Sequence, residues 1–189
     1  MTINFAEKPI LATFQAMPTA ELVERYRRGT ELIERRLLEL SDEQLDTFFR
    51  PETELGRWSC RVLMGHLADA ELVFVHRMRR AVAEEKPVLA LWDENAFIDS
   101  GVYGGDGPGT GKARPVAAFV AVIHTLRMWH GEWLRTLSSD DWDRVCLHPE
   151  RGEQSVRTIL NYATWHHEHH LWYLRLKLDR LMGGASGQL

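Results

Sequence analysis

The chain has 189 residues, a length that suits one domain with an ample core. A formal net charge of −4 gives no overall attraction to nucleic acid, and no apolar run approaches the roughly 18 residues that a membrane helix needs. The two cysteines, Cys60 and Cys146, stand far apart in no Cys-x-x-Cys arrangement. That excludes a disulfide framework and, with no basic-then-apolar leader at the N-terminus, leads to the expectation of a soluble cytoplasmic protein with reduced thiols.

Four long helical patterns follow one another, with no convincing period-two alternation. The first is expected from about Thr19 to Leu40, with Leu22, Tyr26, Ile33, Leu37 and Leu40 on one stripe and Gly29 on the same face. Ser41-Asp-Glu then reads as a short capped turn. The second is expected from about Ser59 to Glu85, ended by Pro87. Residues 88–114 read as a long loop, which in a compact domain is functional or mobile. Its stretch from Gly101 to Lys112 faintly resembles a phosphate-binding loop. However, Asp106 stands where the first glycine is needed, Ala113 where Ser or Thr would hold magnesium, and no strand precedes it. A crossover loop that partly covers the functional site is the reading we adopt. The third helix is expected from about Pro115 to Leu137 and the fourth from about Ser155 to Met182, before Gly183-Gly184. The expected fold class is therefore all-α, a four-helix bundle with a long crossover loop between helices two and three. It forms a single domain over residues 1–182 with a flexible tail at 183–189. The tryptophan pairs Trp129/Trp133 and Trp165/Trp172 read as core or interface stripes, not as a stacking platform for single-stranded nucleic acid.

Four of the five residues from His166 to His170 are histidine, and they fall inside the fourth helix. Side chains four apart share a face, with Cβ atoms roughly 5–6 Å apart. His166 and His170 can therefore share one divalent metal, whereas His167 and Glu168 are swung away at about 100° per residue. The alternative is a solvated histidine-rich patch. A third candidate, His66, lies in the apolar arc of the second helix with Val62, Leu63, Leu67, Ala70 and Val73. A histidine aimed at a core must satisfy its ring nitrogens. A bond to Ser or Tyr would do so, and so would a three-histidine site with open positions for water or substrate. The zinc-protease motif is absent, because Leu171 stands where its second histidine would be. His148 sits in a loop motif placed near the site entrance.

Several further segments extend the pattern: Trp58-Ser59, Gly65-His66-Leu67-Ala68-Asp69-Ala70-Glu71, the basic run Arg77 to Arg80, and Trp92-Asp93-Glu94. Asp141-Trp142-Asp143, His148-Pro149-Glu150-x-Gly152 and Tyr162-x-x-Trp165-His166-x-x-His169-His170 complete it. With these, the chain from about residue 17 to 182 resembles the DinB/YfiT-like superfamily of metal-binding four-helix bundles. The last motifs resemble the YfiT branch, which includes bacillithiol S-transferases. The resemblance implies one divalent transition metal (Zn, Ni, Fe or Mn) held by His66, His166 and His170. It also implies a homodimer and the conjugation of a low-molecular-weight thiol to an electrophilic small molecule. The chain departs from the pattern at Tyr173, where relatives often carry Gln or His. Close to His170 in projection, Tyr173 would stand beside an open coordination position.

A metal on three neutral imidazoles keeps its double charge and stabilises a bound thiolate, the nucleophilic form of a thiol. The same geometry would activate water and make a hydrolase, and a non-catalytic metal-binding stress-response protein is the third reading. Arg77 projects on the same side of its helix as His66, and could hold a substrate carboxylate or simply reach solvent. Lys177 stands similarly to His170. Asp69 could hold a ligand imidazole or accept a proton, or pair with Arg127. Glu71 and Glu168 point away from the histidine face and read as structural.

Overall fold

The computed structural model describes residues 7–104 and 114–183. The chain begins with α1 (Leu11–Gln15) and α2 (Thr19–Arg27), then passes through short 3-10 turns at Gly29–Leu32 and Arg35–Glu39. After α3 (Asp42–Leu45) and a turn at Pro51–Thr53 come α4 (Cys60–Ala83), α5 (Glu94–Asp99) and α6 (Val116–Leu134). The chain ends with α7 (Ser139–Asp143), the strands β1 (Val145–His148) and β2 (Gly152–Ser155), and α8 (Val156–Met182). The two longest helices start at serine caps: Ser59 Oγ accepts from the Val62 N–H, and Ser155 Oγ from the Thr158 N–H. Both α2 and α4 pack against α6 and α8. Hence α2 faces α4, and α6 faces α8, across the diagonals of a four-helix bundle. No helix among the described residues is long and apolar enough to cross a membrane.

The core has two apolar halves. One gathers Leu22, Tyr26, Phe74, Met78, Ile159 and Leu160; the other gathers Leu37, Leu63, Leu67, Ile123, Leu171 and Leu174. Between them runs a belt of buried polar groups, including His66, Glu71, Arg127, His130, Thr164, His166, His167 and Glu168. Burying such groups is unfavourable unless they are hydrogen-bonded, and all of these but His130 have at least one partner. Arg127, with no exposed surface, donates from Nε to Glu71 Oε1 at 2.7 Å and from Nη1 to the Tyr26 carbonyl at 2.8 Å. The Tyr26 hydroxyl donates to Glu71 Oε2 at 2.9 Å. Glu168 receives a bidentate pair from Arg25 at 2.6 and 2.7 Å.

The belt explains the largest departure from the expected elements. The first helix stops at Arg27 instead of running on to Leu40. In a continuing helix the Tyr26 and Gly29 carbonyls would accept from the next turn. Here the Tyr26 carbonyl accepts both a backbone N–H of the helix cap and Arg127 Nη1, and His167 Nε2 lies 3.2 Å from the Gly29 carbonyl. Gly29 has no side chain where the Arg127 guanidinium sits, and a Cβ there would overlap it. Leu37 and Leu40 still reach the core, from turns and not from a helix.

Two further differences concern short elements. The stretch from Val145 to Ser155 forms an antiparallel hairpin with His148 opposite Gly152. Its strands are too short for alternation to show in the sequence. The loop after α4 is not structureless: Leu89 N–H bonds to the Leu147 carbonyl and Leu147 N–H to the Pro87 carbonyl, both at 2.9 Å. Helix α5 follows, capped by Asp93. The weak phosphate-loop likeness at residues 105–113, the N-terminus to residue 6 and the tail from 184 lie outside the described residues.

Replacing Arg127 by Met leaves Glu71 buried without its cation. We expect a loss of about 3–5 kcal/mol in urea unfolding, and a smaller loss in the Glu71→Gln/Arg127→Met double variant than the sum of the two single losses.

Candidate metal centre

Helix α4 supplies His66, and α8 supplies His166 and His170 one turn apart. Their ligand atoms all lie within 4.8 Å of one another. His166 Nε2 is 3.1 Å from His66 Nε2 and 3.2 Å from His170 Nε2. Aromatic rings wall the cluster. Trp92, from the crossover segment, stacks on His66 with centroids 5.3 Å apart, and Trp58 stacks on His170 at 5.6 Å. Phe74 and Tyr162 meet His166 at 5.6 and 6.0 Å. Tyr103 packs over Gly65, where a Cβ would overlap its ring. The crossover segment thus covers part of the site, as expected.

Burial fixes the charge state. It pushes His66 down to about 4, and holds His166 and His170 well below the ordinary imidazole range, with the neighbouring imidazoles adding to the effect. The rings are therefore neutral and can offer lone pairs. The donor set, three neutral imidazoles, suits a transition metal: two nitrogens each about 2.0–2.1 Å from a tetrahedral zinc would be about 3.3 Å apart, close to the two spacings from His166, while His66 and His170 lie within 4.8 Å of each other. Imidazole also suits Ni, Fe and Cu, so the triad alone does not select the ion. Trp58 and Trp92 flank the triad with apolar surface that limits water access.

Two cavities approach the triad from either side along α4 and α8. One, of about 330 Å³, is lined by Leu55, Trp58, Leu63, His170, Tyr173 and Lys177 and is mainly apolar. The other, of about 420 Å³, has a more polar wall that includes Arg77, Trp92, His148, Arg151, Tyr162 and His166.

The residues anticipated from sequence divide accordingly. His66, His166 and His170 come together. Arg77 lines the polar cavity, and Tyr173 the apolar one, with its hydroxyl accepting from Lys8 Nζ at 2.7 Å. Asp69 does not hold a ligand imidazole, for His66 Nδ1 has no hydrogen-bond partner. Nor does Asp69 pair with Arg127, which Glu71 takes. Asp69 lies beside the Tyr103 hydroxyl, burial raises its carboxyl, and it lines neither cavity. Lys177 is no free cation: its Nζ donates to the Leu55 and Gly56 carbonyls at 2.5 and 2.8 Å. His167 is fully buried and turned to Gly29, as its place on the helix implies. The roles of Trp58, Tyr162 and Arg151 were not visible in spacing alone, since each depends on which elements meet.

The sequence profile of the DinB superfamily matches residues 5–174. Among related proteins, one from Oceanobacillus iheyensis is 31% identical over 76% of this chain and 76% of its own length. YfiT from Bacillus subtilis is 29% identical over 76% of this chain and 74% of its own length. Both carry the name "Putative metal-dependent hydrolase". The solved structure of Bacillus subtilis YfiT, described as having an unusual four-helix bundle topology, superimposes with a TM-score of 0.73 at 23% identity, over 88% of this chain and 89% of that one.

Elemental analysis of purified His170→Ala and His167→Ala variants discriminates the two faces of α8. We expect His170→Ala to lose its transition metal. His167→Ala keeps it but melts at a lower temperature, because the Gly29 contact and buried packing are lost.

Proposed function

Because the chain belongs to the DinB superfamily, we propose that it is a divalent-metal-dependent enzyme that joins a small, anionic thiol to an electrophilic small molecule. The observation that carries this reading is the pair of unlike cavities that meet at one histidine triad. A transfer between two reactants needs two adjoining compartments, and a polar thiol and an apolar electrophile call for walls of different character.

When bound, a divalent ion would favour thiolate over thiol, or lower the pKa of a water. The chain's own residues do the rest. His66, His166 and His170 offer neutral nitrogens. Trp58 and Trp92 shield the triad from solvent, which strengthens every electrostatic interaction there. Arg77 holds an anionic group of the thiol in the polar cavity. Leu55, Leu63, Trp58 and the ring of Tyr173 receive the electrophile. Tyr173 is fixed by Lys8, whose ammonium also lies 4.7 Å from the centre of its ring. Asp69 has no part in this scheme.

Hydrolysis is the second reading, and the names borne by the relatives favour it. Assays with and without thiol separate the two. We expect metal-loaded protein to consume monochlorobimane only with a low-molecular-weight thiol, and Arg77→Ala to raise the KM for the thiol about tenfold with unchanged metal content. Ester or amide turnover without thiol would instead establish the hydrolase.

A further inference from the structure

The polar cavity has a floor formed by α4 and α8, but one wall comes from the β1–β2 hairpin. Two features of the cavity lining are unexplained by the fold. The first is the state of His148. The ring is 4% exposed, and its Nδ1 accepts the Glu150 N–H at 3.2 Å. A neutral imidazole whose Nδ1 accepts must carry its proton on Nε2. Burial, then Arg77 and Arg151, hold this ring below its ordinary range, so it stays neutral at neutral pH. The hairpin thereby presents an N–H donor in a fixed tautomer to the cavity that His166 also lines.

The second feature is a pair of arginines without counter-ions. Arg77 makes only a long bond, 3.4 Å, to the Ala90 carbonyl. Its guanidinium is pushed below its ordinary range by burial and by Arg151. Arg151 lies over the Tyr162 ring, 4.9 Å from its centre. Among the described residues neither forms an ion pair, although Asp93, Glu94 and Glu150 stand around the same cavity. Asp93 is engaged in capping α5 through the Ala96 N–H. The two fully buried arginines are neutralised, Arg127 by Glu71 and Arg61 by Asp42 and Asp46, whereas half-buried Arg79 and Arg157 form no ion pair among the described residues; what sets Arg77 and Arg151 apart is that both face one cavity. Cations left unpaired in a cleft attract an anion from solution.

We propose that Arg77, His148 and Arg151 form an oxyanion clamp that binds the carboxylate or phosphate group of a small molecule, with the hairpin supplying two of its three donors. The arginines attract and fork onto the oxygens; His148, being neutral, adds a directional hydrogen bond. The inference rests on reading this cavity as the substrate side of the metal centre, but binding can be measured without turnover.

Titration calorimetry with succinate and, separately, inorganic phosphate tests it, on metal-loaded and chelator-stripped protein. At least one probe should bind in both metal states, and the stronger of the two identifies the oxyanion. Arg151→Gln, at the exposed hairpin tip, and His148→Phe should each weaken that binding about tenfold, near the value of one hydrogen bond to a charged group. His148→Gln, which keeps an N–H donor, should stay within about threefold of wild type. Circular dichroism melting and metal content confirm that each variant is folded. Failure of both probes to bind, or affinity unchanged in Arg151→Gln and His148→Phe, overturns the clamp. So does binding confined to metal-loaded protein, which would place the anion on the ion. Clamp binding without thiol-dependent turnover would refute the transferase reading alone, and thiol turnover without clamp binding would refute the clamp alone.

Discussion

A guanidinium with no exposed surface, held between Glu71, the Tyr26 carbonyl and the Tyr26 ring, sets the frame of this bundle. Arg127 lies on α6, Glu71 on α4 and Tyr26 on α2. Its Nη2 also reaches the Ala163 carbonyl of α8 at 3.3 Å. One side chain thus touches all four long segments at the level where the two apolar halves of the core meet. Hydrophobic burial alone is indifferent to a helix sliding by a turn. A desolvated ion pair is not, because its partners are punished by several kcal/mol when separated. The Arg127 network therefore fixes the relative height of the helices, and with it the height of His66 on α4 against His166 on α8.

The metal centre exploits that register. Its imidazoles sit between α4 and α8 more than one helical turn from the ion pair, His66 lying about 7.5 Å along α4 from Glu71. There, aromatic rings take the place of charged partners. Apolar walls keep the rings unprotonated, whereas a carboxylate neighbour would have favoured the imidazolium. The missing partner for His66 Nδ1 follows from the same choice, for its surroundings are Trp58 and Trp92. The site is accordingly neutral within itself, and the cations that give it electrostatic character, Arg77 and Arg151, stand one layer away.

Much of this was legible in the sequence. A four-residue spacing places His166 and His170 together on any helix, and an apolar arc brings His66 inward. Helical length and the stop at Pro87 delimited α4, and the serine caps marked its start and that of α8. The remainder depended on contacts between distant residues. The end of α2 meets Arg127, about a hundred residues away, which shares the Tyr26 carbonyl with the helix cap. The hairpin is too brief for periodicity, and a third segment, Pro87 to Leu89, completes it. Asp69 looked suitable from projection onto an ideal helix, but projection gives a direction and not a neighbour. Tyr103, which occupies that side, arrives from a loop. His148 belonged to a motif whose chemistry only the cavity reveals, and Arg151, the variable position of that motif, carried no signal of its own.

The placement of the two cavities has a consequence for traffic through the site. They reach the triad from opposite ends along α4 and α8, with His170 on one wall and His166 on the other. Molecules entering them use separate doorways and need not take turns. If each cavity receives one reactant, as proposed, either can arrive first, and a slow departure from one side does not bar entry on the other. Blocking the apolar door would leave the polar one open, so the two occupants can be studied one at a time in the intact protein.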